Sequence, residues 1–199
     1  MCYNNSKTIL GVDLMIILAS GSPRRHELLK KLCPNFKIQA SDAIEVQNNL
    51  EPKILAIENA KLKAQDIFNK NPGAIVIGAD TIVVLNGKIF GKPKNLADAE
   101  KMLAQLANNR HEVITGLAIC AGGKIFTDCD VTEVYFGEMT AEEIKKYVAT
   151  GEPLDKSGSY ALQGGATKFI EKIHGDWSNV VGLPVYRLKK LAQAAGIEL

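Results

Sequence analysis

Short apolar runs that alternate with amphipathic segments are the feature that most narrows what this 199-residue chain can fold into. Residues 15–19 (MIILA) and 74–79 (AIVIGA) are short and continuously apolar, which predicts buried strands. Between them, residues 36–40 are predicted to form another strand, and apolar residues recur at helical spacing from Pro52 to about Lys70. This order of elements is typical of α/β proteins, in which helices cover a sheet.

The middle of the chain shows a different pattern, because turn signals there join neighbouring segments directly. Asn86-Gly87 is a strong two-residue hairpin turn, and residues 113–120 and 124–136 are predicted as antiparallel strands around Gly122-Gly123. Further helices are predicted over residues 96–106, 140–148 and 185–195. Parallel and antiparallel pairing are both expected, so the sheet should be mixed.

The composition is that of one globular domain and excludes several functional classes. Residues 15–199 contain no linker-like stretch and are predicted to form a single domain, preceded by an N-terminal extension, 1–14, without an assigned role. A formal net charge of +2 and an aromatic content of 6% argue against a nucleic-acid partner. No apolar run reaches the roughly 20 residues that cross a membrane, and the start lacks a signal peptide. We therefore expect a cytoplasmic protein.

The four cysteines give no metal-site pattern, since their spacing makes neither a CxxC pair nor a finger with the three histidines. Cys120 and Cys129 flank the predicted hairpin and could face each other. A reduced pair is the expected state in the cytosol.

The first candidate site is the loop Ser20-Gly21-Ser22-Pro23-Arg24-Arg25. A strand that enters a small-residue loop and then a helix N-terminus offers free N–H groups to phosphate, and Arg24 and Arg25 add donors of matching geometry. The alternative is a helix capped by Ser22 and followed by two solvated arginines.

The second candidate is Asp80, which is expected just past the end of an apolar strand, where open α/β sheets place their ligands. Its carboxylate could hold Mg²⁺ or orient a water, or simply cap the strand end. Thr81 could contact a ligand or satisfy the backbone. Lys92 is restricted to an extended conformation by Pro93, yet both Lys92 and Lys63 could equally face solvent.

The third candidate is the turn-rich segment 151–165 (GEPLDKSGSYALQGG), which is too polar for a core and contains Lys156. Gln163 stands out because its amide offers a donor and an acceptor side by side. Uracil and thymine present O4 as an acceptor beside N3–H as a donor, which such an amide could pair with. Guanine presents two donors and would suit a carboxylate better. Taken alone, Gln163 is more often a surface residue.

Together these stretches resemble the Maf family of nucleotide pyrophosphatases. The matching motifs are LASGSPRR (18–25), GADTIVVLNGKIFGKP (78–93), GEPLDKSGSYALQG (151–164) and NVVGLP (179–184), in family order and spacing. The similarity covers nearly all of 15–191. The resemblance implies the elongated α/β fold of ITPase-like proteins, in which a central mixed sheet carries two lobes that flank a deep cleft.

The resemblance also implies metal-dependent hydrolysis of nucleoside triphosphates between the α- and β-phosphates, with Mg²⁺, Mn²⁺ or Co²⁺. Asp80 falls on the family's catalytic acidic position. Arg25, Thr81 and Gln163 fall on positions that separate a dTTP/UTP branch from a 7-methyl-GTP branch, and Gln163 is typical of the former. We expect the phosphates to be held by the following residues: Ser20, Ser22, Arg24, Arg25, Lys63, Lys92 and Lys156. Asp80, helped by Glu45, is expected to bind the metal or activate water.

Two departures from the family pattern concern the same regions. Ser157 stands where alanine is usual and should be tolerated, and Trp177 stands where tyrosine is common, which is expected to affect packing near the base pocket. The resemblance is compatible with a homodimer. The competing interpretation is a non-catalytic, nucleotide-binding regulator of septum formation, which would not need the water-activating carboxylate.

Overall fold

The computed structural model describes residues 15–46 and 50–199, together with the backbone of two short strands, β1 (Thr8–Ile9) and β2 (Val12–Asp13), which pair with each other. The rest of the predicted N-terminal extension lies outside the described residues. The remaining strands are β3 (Ile16–Leu18), β4 (Lys37–Ile38), β5 (Ile75–Leu85), β6 (Lys88–Phe90), β7 (Arg110–Ala121), β8 (Lys124–Phe136) and β9 (Ile170–His174). The helices are α1 (Pro23–Lys30), α2 (Pro52–Lys70), α3 (Leu96–Leu106), α4 (Ala141–Val148), α5 (Trp177–Val181) and α6 (Val185–Ala194).

Strands β3 to β9 form one seven-stranded mixed sheet in the order β4-β3-β5-β7-β8-β9, with β6 paired to β5. The pairings of β3 with β4 and β5 are parallel, whereas those among β5, β6, β7, β8 and β9 are antiparallel. Parallel neighbours require a crossover, which α1 and α2 provide, and the antiparallel part follows from the short turns. The predicted mixed α/β sheet is confirmed.

The two faces of the sheet are covered differently. Because side chains alternate along a strand, the even-numbered residues of β5 face α2, whereas the odd-numbered ones face the opposite side. On that opposite side, Ile75 and Ile77 belong to a core built with α1, α5 and α6. Val83 and Leu85 belong to a second core, built with α3 and α4. Two groups of helices thus pack on one face, which leaves a cleft between them, as predicted.

Helix α2 lies unusually close to the sheet because glycines face it. A Cβ at Gly78 would lie 2.3 Å from the carbonyl oxygen of Ala60, and one at Gly116 would lie 2.2 Å from that of Ala56. Only hydrogen at these positions permits this approach. The helix side chains that pack here are small as well, with Ala56, Ala60 and Ala64 fully buried. The position of the α2 backbone relative to β5 is therefore narrowly defined.

The predicted elements are found with small shifts at their ends. The strand-end position expected for Asp80 is wrong, and the structure decides two points that the sequence left open. Ser22 occupies the N-cap position of α1, yet its side chain makes no capping hydrogen bond. Cys120 pairs with Ile125 and Cys129 with Gly116, so the two thiols do not face each other and both are free. Asp80 lies in the middle of β5 rather than at a strand end. Among the helices that the structure describes, none is both long and apolar enough to cross a membrane.

Candidate active site

A gap in the sheet edge explains why a mid-strand carboxylate faces a cleft. Strand β7 runs along one edge of β5, while β3 and β6 share the other edge. The pairing with β3 ends at Ile77, and the pairing with β6 begins at Val83. Asp80 lies between these two pairings, at a gap that we call the notch (residues 78–82 of β5). The notch gives Asp80 the access to a cleft that a strand end would give.

Two loops with predicted phosphate-binding residues flank the notch, because each follows one of the strands that border it. The loop 20–25 follows β3, and Gly91-Lys92 follows β6. Both loops line one cleft of about 870 Å³ together with segment 155–163. The sequence-predicted site residues that line it are Ser20, Ser22, Arg24, Arg25, Glu45, Lys63, Asp80, Thr81, Lys92, Lys156 and Gln163. The structure thus brings every one of them to the same cavity.

The centre of the cleft is a lysine that joins two carboxylates. Asp80 points toward α2, where the Lys63 Nζ lies 2.6 Å from its Oδ1 and 2.6 Å from the Oε1 of Glu45. The Asp80 and Lys63 side chains are nearly buried, at 9% and 15% exposure, while that of Glu45 is 43% exposed. Burial alone would raise the pKa of Glu45, but the Lys63 ammonium, with Lys92 and Arg25, outweighs it and lowers the pKa. Glu45 is therefore ionised at neutral pH.

The two arginines of the loop have separate environments. The guanidinium of Arg25 donates from Nε to the Gly182 carbonyl (2.7 Å), from Nη2 to the Thr81 hydroxyl (3.0 Å) and from Nη1 to the Ser20 hydroxyl (3.3 Å). Burial lowers the pKa of Arg25, and the nearby carboxylates of Asp80 and Glu45 partly offset this decrease. Arg24 is more exposed and lies 3.9 Å from Asp155. Arg24 is thus the arginine with donors to spare, and Arg25 organises the floor of the cleft.

A chain of hydroxyl groups continues from Arg25 into the core. Arg25 can only donate, and Thr115 donates to the backbone oxygen of Asn179 at 3.1 Å. In the 2.9 Å contact between the two hydroxyls, Thr81 must therefore be the donor and Thr115 the acceptor. Asn179 is fully buried and donates to Val113 and Thr132. The motif NVVGLP (179–184) thus supports Thr81, through Thr115 and the Asn179 carbonyl, and Arg25, through the Gly182 carbonyl.

The segment that carries Gln163 and Lys156 forms the far wall of the cleft. Gln163 is exposed, between buried Leu162 and two glycines. The Lys156 ammonium donates to Asp155 at 2.6 Å and to the Glu152 carbonyl at 2.7 Å, so it is already paired. Ser157, the departure from the family pattern, lines the cleft and donates from its hydroxyl to the backbone oxygen of Thr81 at 2.8 Å.

The expectation for Trp177 is wrong. Its ring begins α5, is 40% exposed and lies beneath the ammonium of Lys31, 5.8 Å from the ring centroid. It does not line the cleft. Its substitution therefore concerns the outer surface of the lobe that contains α1, not a base pocket.

The carboxylates of Asp80 and Glu45 suit a divalent cation that enters the cleft bound to a phosphate chain. Mg²⁺ commonly binds one or two protein carboxylates, with phosphate oxygens and water completing its shell. Asp80 and Glu45, both within 2.6 Å of one ammonium, define a point where a positive charge is favoured. Within 15–46 and 50–199, no three His, Cys, Asp or Glu side chains gather as a ready-made metal cluster. Two carboxylates are a donor set that suits an ion whose remaining ligands are phosphate oxygens and water.

Sequence comparisons with known proteins agree on one family. The sequence profile described as Maf-like protein matches residues 15–195. A dTTP/UTP pyrophosphatase of Alkaliphilus metalliredigens is 51% identical over 177 residues, which cover 87% of this chain and 92% of that protein. A protein of the same name from Methanosarcina barkeri is 46% identical over 188 residues, covering 92% and 95%.

Among solved structures, the Ham1 protein of Staphylococcus aureus matches 91% of this chain and 99% of its own, with 17% identity and a TM-score of 0.48. The family profile spans both lobes and the notch between them, including every residue of the cleft described above. This chain belongs to the family of Maf-like proteins.

Proposed function

We propose that the protein hydrolyses dTTP and UTP to the nucleoside monophosphate and pyrophosphate, with Mg²⁺, Mn²⁺ or Co²⁺ as cofactor. The observation that carries the proposal is the carboxylate of Asp80, held by Lys63 beside Glu45 in a cleft that also contains Lys92 and Gln163. The relatives at 46–51% identity are named for this activity.

The phosphate chain would lie on the cationic side of the cleft. A nucleoside triphosphate carries about four negative charges, which a site must compensate. Lys92 is exposed, and Arg24 has only a distant partner, so both can turn toward phosphate oxygens. The loop 20–25 adds backbone N–H groups at the start of α1. Lys156 would exchange its contact with exposed Asp155 for a phosphate oxygen.

The reacting end would lie at the notch. Asp80 is a buried carboxylate whose Oδ1 accepts from Lys63, and we assign it the proton of the attacking water. Water attacks the α-phosphorus, the bond to the bridging oxygen breaks, and pyrophosphate leaves. Lys63 and Lys92 then face the charge that develops on the leaving group. When bound by Asp80 and Glu45, the divalent cation supplies neutralisation of charge on the phosphates.

The base would be read by Gln163. Its amide can donate to O4 and accept from N3–H of uracil or thymine, an arrangement that guanine does not match. Gln163→Glu removes the donor and is expected to reduce kcat/KM for dTTP and UTP by about tenfold, since a mismatch that the bound base covers costs ~1–3 kcal/mol. An unchanged preference among nucleotides in this variant would remove Gln163 from base selection.

The test is pyrophosphate release from a panel of nucleoside triphosphates, with each metal in turn. We expect dTTP and UTP to be the best substrates. Asp80→Asn should retain the fold and lose most turnover. The control Asp130→Asn should retain both the fold and turnover, because Asp130 is a half-buried strand carboxylate that does not line the cleft. Wild-type turnover in Asp80→Asn would refute the role of Asp80. Nucleotide binding without pyrophosphate release would favour the non-catalytic regulator instead.

A further inference from the structure

The backbone around Gln163 is attached to two side chains outside the residues assigned so far. We propose that Tyr147 and Glu152 are positioning residues for base selection, because together they hold both ends of the loop 161–165. We call this loop the base loop. The inference rests on the proposed function, in which Gln163 reads the pyrimidine.

The attachment consists of hydrogen bonds at the first and last residues of the base loop. The Ala161 amide donates to the Tyr147 hydroxyl at 3.3 Å, and the Gly165 amide donates to the Glu152 Oε2 at 3.1 Å. The same hydroxyl donates to the Glu152 Oε1 at 2.9 Å, so the two anchors are joined. Tyr147 is 5% exposed. Burial, with the Glu152 carboxylate, raises the pKa of this phenol, which therefore keeps its proton.

Two glycines bring the base loop into direct contact with these anchors. A Cβ at Gly164 would lie 1.9 Å from the Glu152 Oε1, and a Cβ at Gly165 would lie 2.9 Å from the Tyr147 Cδ2. No space for a side chain separates the loop backbone from the phenol and the carboxylate. Any movement of the two anchors must therefore move the backbone beside Gln163.

A side chain just after the base loop, Thr167, also holds the loop backbone on both sides of Gln163. The Thr167 hydroxyl lies 2.6 Å from the carbonyl oxygen of Leu162 and 2.7 Å from that of Gly164, and can donate to either. These carbonyls flank Gln163 on both sides, while Leu162 is buried in the core. The freedom left at this position is mainly that of the Gln163 side chain itself. An amide presented from a fixed backbone loses less entropy on binding than one from a mobile loop.

Glu152 also contacts the phosphate side of the cleft. Its backbone oxygen accepts from the Lys156 ammonium at 2.7 Å, while its carboxylate holds the base loop. One residue thus fixes the distance between a cation for the phosphates and the reader of the base. This placement favours nucleotides whose base and triphosphate fit both contacts together.

The inference makes a specific kinetic prediction. Tyr147→Phe removes one acceptor and one donor from the anchor but keeps the ring that packs in the core. We expect KM for UTP to rise about tenfold with kcat nearly unchanged, because base binding is equal in the ground and transition states. Discrimination against GTP should decrease by a similar factor. Glu152→Gln, which loses the acceptor for one of its two donors, should act in the same direction.

The chain contains a matched control. Tyr135 donates to Glu133 at 2.9 Å on β8, the same type of bond, but neither residue lines the cleft. Tyr135→Phe and Glu133→Gln should therefore leave KM and selectivity unchanged. A double-mutant cycle separates positioning from a general loss of structure: in a Gln163→Ala background, Tyr147→Phe should have no further effect on the UTP/GTP preference.

The experiment measures kcat and KM for UTP and GTP in the wild type, the four single variants, Gln163→Ala and the double variant. A wild type that does not hydrolyse UTP refutes the proposed function. A selective wild type whose selectivity is lost in Gln163→Ala but kept in Tyr147→Phe refutes this inference alone. The same holds if Tyr147→Phe lowers selectivity equally with and without Gln163.

Discussion

Replacing Gly116 by alanine is expected to push α2 away from the sheet. The new Cβ would lie 2.2 Å from the carbonyl oxygen of Ala56 and 2.5 Å from the amide nitrogen of Ile57. Both are backbone atoms, so no side-chain rotation relieves the overlap, and the helix must move by roughly 1 Å to restore a van der Waals separation. Such overpacking costs about 3 kcal/mol. In a protein of this size, that lowers Tm by roughly 10 °C.

The same displacement affects catalysis, because α2 carries Lys63 and β5 carries Asp80. A shift of the helix would lengthen the 2.6 Å contact between the ammonium and the carboxylate. Misplacement of a catalytic group by about 1 Å can reduce turnover about a hundredfold. We expect kcat for UTP in Gly116→Ala to fall by about ten- to a hundredfold.

The assay combines thermal unfolding with steady-state kinetics at a temperature where the variant is folded. Gly91→Ala is the control for stability, since a Cβ there meets nothing within 4 Å. Unchanged Tm in Gly116→Ala would refute the argument from close packing. A lowered Tm with wild-type kcat would refute the link between the position of α2 and catalysis.

Three further predictions concern pH and metal. Burial lowers the pKa of His111 from 6.5 to about 4, so protonation of the unfolded chain reduces stability as the pH falls from 6.5 to about 4, by up to about 3 kcal/mol, while above pH 6.5 there is no such loss. NMR titration of the folded protein should give a midpoint near 4, and one near 6.5 would contradict the burial argument. The pKa of Glu45 is lowered, so its contribution is present above pH 4.5 and lost below it, and urea unfolding of Glu45→Gln should show a weaker acid dependence than the wild type; equal slopes would argue against the contact with Lys63. EDTA should abolish pyrophosphate release while leaving Tm of the substrate-free protein largely unchanged, because Lys63 already compensates the two carboxylates; a large fall in Tm would indicate a resident structural metal.

Local signals in the sequence predicted the elements, because each depends on residues close together in the chain. The buried strand that begins near residue 74, the turn at Asn86-Gly87 and the helix from Pro52 are found where expected. The strand itself continues through Asp80 to Leu85, beyond the predicted end. The alternation of side chains also follows from sequence once a strand is known, and it places Asp80 and Thr81 on opposite faces.

The notch could not be predicted in this way, because it depends on which strands share an edge. That β3 and β6 both pair with one side of β5 is a property of topology, not of any local pattern. The burial of Arg25 likewise depends on the Gly182 carbonyl, which lies 157 residues away in the chain. The anchors of the base loop, Tyr147 and Glu152, had no signal beyond the glycines that follow Gln163.

The most direct test of the central claim is hydrolysis of UTP in H₂¹⁸O, with mass spectrometry of both products. The account places the water activated by Asp80 at the α-phosphorus, so one ¹⁸O should appear in UMP and none in pyrophosphate. Label in pyrophosphate, or release of UDP and inorganic phosphate, would contradict it.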